Sequence, residues 1–217
     1  MKKTTNISML QLVLTVASVA VVLVSNVITT RQIQMPFGIV MSGGVFVFPF
    51  AYILSDVFSE VYGYRWSRIT CHLGFAANLF MVVVFAAVLA SPYPSYWEHA
   101  EAFQIVLGET PRVLAASLAA FWLGDLVNDV VFRKMKEKYP KTHKGFRSRA
   151  IISSAFGAVI DSFVFMTIAF VGKMPPEVLT VSILSKAGIK IGYEFLILPI
   201  THRIMLMASR YENRDVA

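Results

Sequence analysis

Two acids four residues apart, Asp56 and Glu60, stand in the stretch SDVFSEVYG, directly after the apolar run GGVFVFPFAYIL. A second such pair, Asp125 and Asp129, stands in GDLVND. Asp161 and the set Lys186, Lys190 and Glu194 also fall inside apolar runs. A charge at the centre of a membrane helix costs about 2.5–3.5 kcal/mol on insertion scales. Charges placed there belong against a protein interior or a wet cavity, and need partners. Carboxylates accept hydrogen bonds in pairs, amides both donate and accept, and an ammonium donates. With aromatic faces beside them, such groups suit a small, polar, planar solute.

Spacing indicates which residues share a face, because positions i and i+4 of a helix lie one above the other. Ala116, Ala120, Gly124 and Asn128 form one small-residue stripe, with Asp125 and Asp129 beside it. Ser153, Gly157 and Asp161 form a second, and Thr70, Gly74 and Asn78 a third. Small residues let helices approach closely, so the Ala and Gly positions read as packing. Packing alone does not explain why the stripes run into Asn78, Asn128 and Asp161. Lys190 and Glu194 share a face and can pair with each other. Phe48, Tyr52, Tyr62, Trp122 and Tyr193 supply candidate ring faces. Asp56 reads as a cavity acid. Glu60 and Asp129, nearer a span end, read as gate or structural residues. GFAAN echoes GAVID as SDVFSE echoes GDLVND, which suggests a weak parallel repeat.

The elements that must carry these residues are membrane spans. The 217-residue chain is 56% hydrophobic and 15% charged, with mean hydropathy +0.64. Soluble domains are about a quarter charged. Six segments approach the roughly 20 apolar residues that a bilayer demands: 9–28, 43–62, 69–90, 114–132, 150–171 and 181–207. The expected fold class is therefore all-α, a polytopic membrane protein forming one transmembrane domain. The first segment is too long for a cleaved signal. In the last, Pro199 is placed to kink the helix. Between the third and fourth spans, Ser95 and Glu98 have capping-box spacing before Gly108, predicting a short interfacial helix, either a lid or a plain connector.

The net charge of +7 is concentrated rather than spread. Arg133, Lys134, Lys136, Lys138, Lys141, Lys144, Arg147 and Arg149 share one connection. With Lys2, Lys3, Arg65, Arg68, Arg210 and Arg214, they place both termini in the cytoplasm. This pattern argues for topology, not for nucleic-acid binding. The lone Cys71 excludes an internal disulfide and a cysteine metal cluster, and no cofactor is implied. The four His residues suggest no metal site. Walker A, HExxH and GxSxG patterns are absent, which argues against an enzyme.

Ser25-Asn26, FPFAYILSDVFSEVYGYR (48–65), AASLAAFWLGDLVND (115–129), DSFVFMTIAFVG (161–172) and KIGYEFLILPIT (190–201), in that order, resemble the queuosine precursor transporter family, also called the vitamin uptake transporter family. The resemblance spans about 25–201. It implies bacterial inner-membrane uptake of 7-deazaguanines such as 7-cyano- or 7-aminomethyl-7-deazaguanine, or queuine, for tRNA-modification salvage. It also implies a six-helix fold similar to the substrate-binding component of energy-coupling-factor transporters. Asn26, Asp56, Glu60, Tyr62, Asn128, Asp161, Lys190 and Glu194 match the family's polar pattern. Substrate contacts are expected from Asn26, Phe48, Tyr52, Asp56, Asn78, Asp125, Asn128, Asp161, Lys190, Tyr193 and Glu194. The expected mode is alternating access, with a cavity acid suited to proton symport. The other readings are a substrate-binding subunit needing an energising partner, an intramembrane enzyme and an ion channel. A homodimer is also open.

Overall fold

The computed structural model describes residues 7–138 and 143–212. The chain is almost entirely helical. In order come α1 (Met9–Thr29), β1 (Gln32–Gln34), β2 (Val40–Ser42), α2 (Phe48–Val57), α3 (Tyr64–Ala90), α4 (Ala100–Leu107), α5 (Thr110–Lys138), α6 (His143–Phe170) and α7 (Pro176–Glu212). Among the described residues, four stretches are long and apolar enough to cross a membrane: Met9–Thr29, Tyr64–Ala90, Ala100–Asn128 and Ile152–Phe170.

The helices are turned inside out relative to a soluble protein. On α1, Gln11, Asn26 and Thr29 are buried, while Leu12, Val13, Val16 and Val24 are exposed. On α3, Thr70, Gly74 and Asn78 are buried, while Leu79, Phe80 and Val83 face outward. In water the apolar side would turn in. A bilayer reverses the preference, because there the polar groups are the ones that need partners.

Two compact units divide the chain, and α7 contributes to each. The first comprises Met1–Thr30, Gly43–Gly108 and Glu194–Ala217. Within it α1 lies along α3. Gly74 permits this: a Cβ there would sit 3.3 Å from Val22 Cγ2. One turn further along both helices, Asn26 donates a 2.5 Å hydrogen bond to Asn78. Near the ends of α1 and α7, Val57, Phe58, Val61, Tyr62 and Ala208 form a buried cluster with Leu10, Leu14 and Trp66 packed on it. Glu212 ties this cluster shut, accepting from the Ser8 hydroxyl and, at 3.0 Å, from the Tyr62 hydroxyl.

The second unit comprises Arg31–Ser42 and Glu109–Tyr193. Here α5 and α6 pack along their length, with Gly124 and Gly157 at the crossing. A Cβ on Gly157 would lie 2.9 Å from the Gly124 carbonyl oxygen and 3.2 Å from Asn128 Cβ. Its apolar core joins Ala116, Ala120, Phe165, Met166, Ala169 and Phe170. Gly172, at φ 81, lets the chain leave α6 in a left-handed conformation. Arg112 donates to the carbonyls of Ile168 (2.6 Å) and Val171 (2.5 Å), satisfying the end of α6.

Three local expectations need correction. Residues 43–62 are not one regular span: a 3-10 turn (Gly43–Phe46) precedes α2, and a π turn (Phe58–Tyr62) follows it. Pro49 lacks an N–H and so sits in the first turn of a helix rather than inside one. Gly63, at φ 82, ends the π turn in a conformation that favours glycine. The Ser95–Glu98 capping box does not form. Trp97 N–H bonds to the Pro94 carbonyl in a turn, and α4 begins at Ala100 behind His99, with no side-chain cap. The 3-residue strands β1 and β2 form an antiparallel hairpin, with Gln32 opposite Ser42, that was not expected from the sequence.

The Gly124–Gly157 crossing gives a direct test. Gly157→Ala should destabilise the detergent-solubilised protein by about 1–3 kcal/mol through overpacking. Gly188→Ala on α7, where nothing lies within 4 Å of the new Cβ, should instead stabilise it by about 0.5–1 kcal/mol. Thermal unfolding of both variants distinguishes the two effects.

Candidate functional site

The second unit places its charged groups on two facing helix surfaces. Asp161 on α6 accepts a charge-assisted hydrogen bond from Lys190 Nζ on α7, and both side chains are mostly shielded from solvent. Lys186, one turn back from Lys190, is 3% exposed, and its Nζ lies 3.4 Å from the centroid of the Phe165 ring. Phe165 is one turn on from Asp161. Stepping forward one turn on α6 thus steps back one turn on α7, as expected of helices joined by the short 171–175 connection. The charges acting on Lys186 are those of Asp161, attractive, and Lys190, repulsive. A cation held on an aromatic face out of water gains about 2 kcal/mol, which offsets part of its desolvation.

Helix spacing fixes this arrangement. α5 and α6 approach backbone to backbone at Gly124 and Gly157, and a Cβ on Gly124 would lie 3.1 Å from Asp161 Cβ. That contact sets the height and direction of Asp161. On the other side of Asp161, the lysine side chains of α7 reach to α6, Lys190 to the carboxylate and Lys186 to the Phe165 ring. Beside them the Ser162 hydroxyl is fully buried with no hydrogen-bond partner among the described residues. A buried polar group left unsatisfied costs about 1–3 kcal/mol. The arrangement can therefore accept from a donor edge through Asp161 and donate to a carbonyl through either lysine.

The other expected residues divide between the units. Asn128 lies against Gly157 on the same α5–α6 seam, and Asp125 and Tyr193 are half-buried in the second unit. In the first unit, Asn26 and Asn78 engage each other, leaving Asn26 Oδ1 buried with no partner among the described residues. Asp56 is exposed on the last turn of α2, and Glu60 is exposed in the π turn. Tyr62 is buried and bonded to Glu212. The side chains of Phe48, Tyr52, Asp129 and Glu194, and those of Arg133, Lys136, Lys138, Lys141, Lys144, Arg147 and Arg149, lie outside the described residues. Three contacts escaped the sequence reading: the seat of Lys186 on Phe165, the Asp161–Lys190 pairing, and the Glu212 tie. The first had a visible signal, since Lys186 shares a face with Lys190.

Residues 42–204 match the family described as "Putative vitamin uptake transporter". A Bacillus subtilis protein named "Probable queuosine precursor transporter" is 25% identical over 189 residues, covering 87% of this chain and 82% of that one. A Haemophilus influenzae protein of the same name is 27% identical over 139 residues, covering 61% of this chain and 53% of that one. No solved structure matches the chain.

Removing one member of a shielded ion pair strands the other. Asp161→Asn and Lys190→Met should each destabilise the protein, and the double variant should lose less than the sum by about 1–3 kcal/mol. Unfolding of the four proteins in detergent measures the coupling. Strict additivity would mean that the pair carries none.

Proposed function

The chain belongs to the vitamin uptake transporter family, which comprises transporters and not enzymes, and from that premise we propose that it imports a 7-deazaguanine precursor of queuosine across the bacterial inner membrane. It is a multi-pass membrane protein with a small-molecule substrate. The observation that carries the finer reading is the partly shielded Asp161–Lys190 ion pair that joins α6 to α7. A guanine-like edge presents ring N–H and amino donors beside a carbonyl acceptor. Asp161 accepts from the donors, and Lys190 or Asn128 donates to the carbonyl. The ligand then takes over both halves of the ion pair. Tyr193 supplies a ring face, and Asp125 a further acceptor for an aminomethyl group.

The wider set of Asn26, Phe48, Tyr52, Asp56, Asn78 and Glu194 belongs to the same proposal, Asn26, Asp56 and Glu194 on the resemblance and Phe48, Tyr52 and Asn78 on residue type and spacing. Glu60, Tyr62 and Asp129 are proposed as gate or structural groups. For Tyr62, the bond to Glu212 supports the structural half of that role. In the proposed topology, residues 43–62 and α7 add two crossings to the four apolar stretches, giving six with both termini in the cytoplasm. Transport proceeds by alternating access in a bundle like the binding component of energy-coupling-factor transporters. The energy comes from proton symport, with a separate energising partner as the alternative source; a homodimer is compatible with either scheme.

The test is to express the chain in a bacterium unable to make queuosine precursors and lacking any energising complex. Each deazaguanine, queuine and queuosine is then fed separately, and queuosine is measured in tRNA. A 7-deazaguanine should restore it, and Asp161→Asn should reduce uptake about tenfold or more, the loss expected when one charged hydrogen bond to the ligand is removed. Restoration only when an energising complex is supplied would make the chain a binding subunit. No restoration with any feed would overturn the reading.

A further inference from the structure

The first unit contains a cavity that the transport reading does not use. It measures about 510 Å³ and lies between the end of α3, the 91–99 connection and α4. Its walls combine three chemistries. Val88 and Leu89, from the last turn of α3, give it an apolar floor. Tyr93, Trp97 and Phe103 line it as a corner of rings. Trp97 stands edge-to-face to Tyr93 (centroids 5.9 Å, 68°) and to Phe103 (5.3 Å, 64°). Glu101 is its acid, and Ser91 and Gln104 are the other polar side chains. Among the described residues, no basic side chain lines it.

Edge-to-face contacts hold Trp97 against both neighbouring rings in the cavity wall, and aromatic rings with a carboxylate beside them attract an ammonium group. The depth of the cavity is also defined. It sits where two candidate membrane stretches end, Tyr64–Ala90 and Ala100–Asn128. Headgroups lie at that level, and Tyr and Trp concentrate there. Val88 and Leu89 belong to the membrane stretch Tyr64–Ala90 itself, so the cavity offers a polar and aromatic place for a headgroup beside apolar surface.

We propose that this cavity is a site for the ammonium headgroup of a phospholipid, of the ethanolamine class. The ammonium sits against the Trp97 and Tyr93 faces and pairs with the Glu101 carboxylate. The acyl chains leave along Val88 and Leu89. The site is independent of what the protein carries.

The test uses the full chain reconstituted in equal parts of phosphatidylethanolamine and phosphatidylglycerol. The protein is extracted in mild detergent, and its retained phospholipid is measured by mass spectrometry. The wild type should retain the ethanolamine lipid about tenfold over the glycerol lipid, a ratio within reach of one cation–aromatic contact and one exposed charge pair. Glu101→Gln and Trp97→Ala should each bring that ratio down to about threefold, since each removes one of two comparable contributions, while Trp97→Phe, which keeps a ring, should preserve much of it. Equal retention of the two lipids by the wild type would overturn the proposal, as would an unchanged ratio in Glu101→Gln. Binding of free ethanolamine through Glu101 without lipid retention would overturn it too, and would mark the cavity as a solute site.

Discussion

A charge removed from water and placed among apolar helices must be met by another charge or by oriented dipoles. The ion pair of Asp161 with Lys190 is where that demand is strongest in the second unit. Much of the packing around it can be read as a consequence. Gly124 and Gly157 bring α5 onto α6 and fix where Asp161 projects. Four residues further along α6, Phe165 supplies the face that receives Lys186. Four residues apart on α7, the two lysines meet those two groups in register. A shift of α7 by one residue would turn both ammoniums away from both partners. The pair therefore fixes the register of α7 as well as compensating charge.

The same device occurs in the first unit with neutral groups. Gly74 lets α1 approach α3 at Val22, and one turn on Asn26 meets Asn78. In both units a small residue permits close approach and a polar contact follows one turn later. GFAAN and GAVID thus share a physical role. Their neighbours do not share a conformation: Asp56 and Glu60 straddle the passage from α2 into a π turn, whereas Asp125 and Asp129 stand on the regular helix α5. The recurrence follows from how membrane helices meet, since van der Waals packing and interhelical hydrogen bonds hold them together there.

What the sequence made legible follows the range of the interactions. Buried stripes and apolar outer faces were readable, because one helix and its solvent determine them: Thr70, Gly74 and Asn78 are buried as their spacing requires. The partner of Lys190 was not, because Glu194 offered a local alternative and only tertiary packing brings Asp161 across. For the seat of Lys186 on Phe165 only the lysine half was visible, from its shared face with Lys190; a phenylalanine in a span looks the same whether it faces lipid or a cation. The capping box at Ser95 failed because a turn held by the Pro94 carbonyl competes for the same residues. The hairpin of β1 and β2 was missed although the Pro-Phe-Gly between two alternating trios is a turn signal. In a chain read for spans, 3-residue strands escape notice.

An ion pair is an expensive way to join two helices, because apolar residues of the same size often do it as well or better. Its presence is easier to understand if the pair is not permanent. On the proposed function, a planar ligand with donors on one edge and a carbonyl beside them offers Asp161 and Lys190 the same hydrogen bonds that they give each other. Exchange of one set for the other leaves the net charge within the helices unchanged. Neither the empty nor the loaded site then strands a charge among the helices. Lys186, seated on the Phe165 ring, keeps that contact while its neighbours change partners. A carrier needs such near-equality between its empty and loaded states, since a site that bound far more tightly than it released would not turn over.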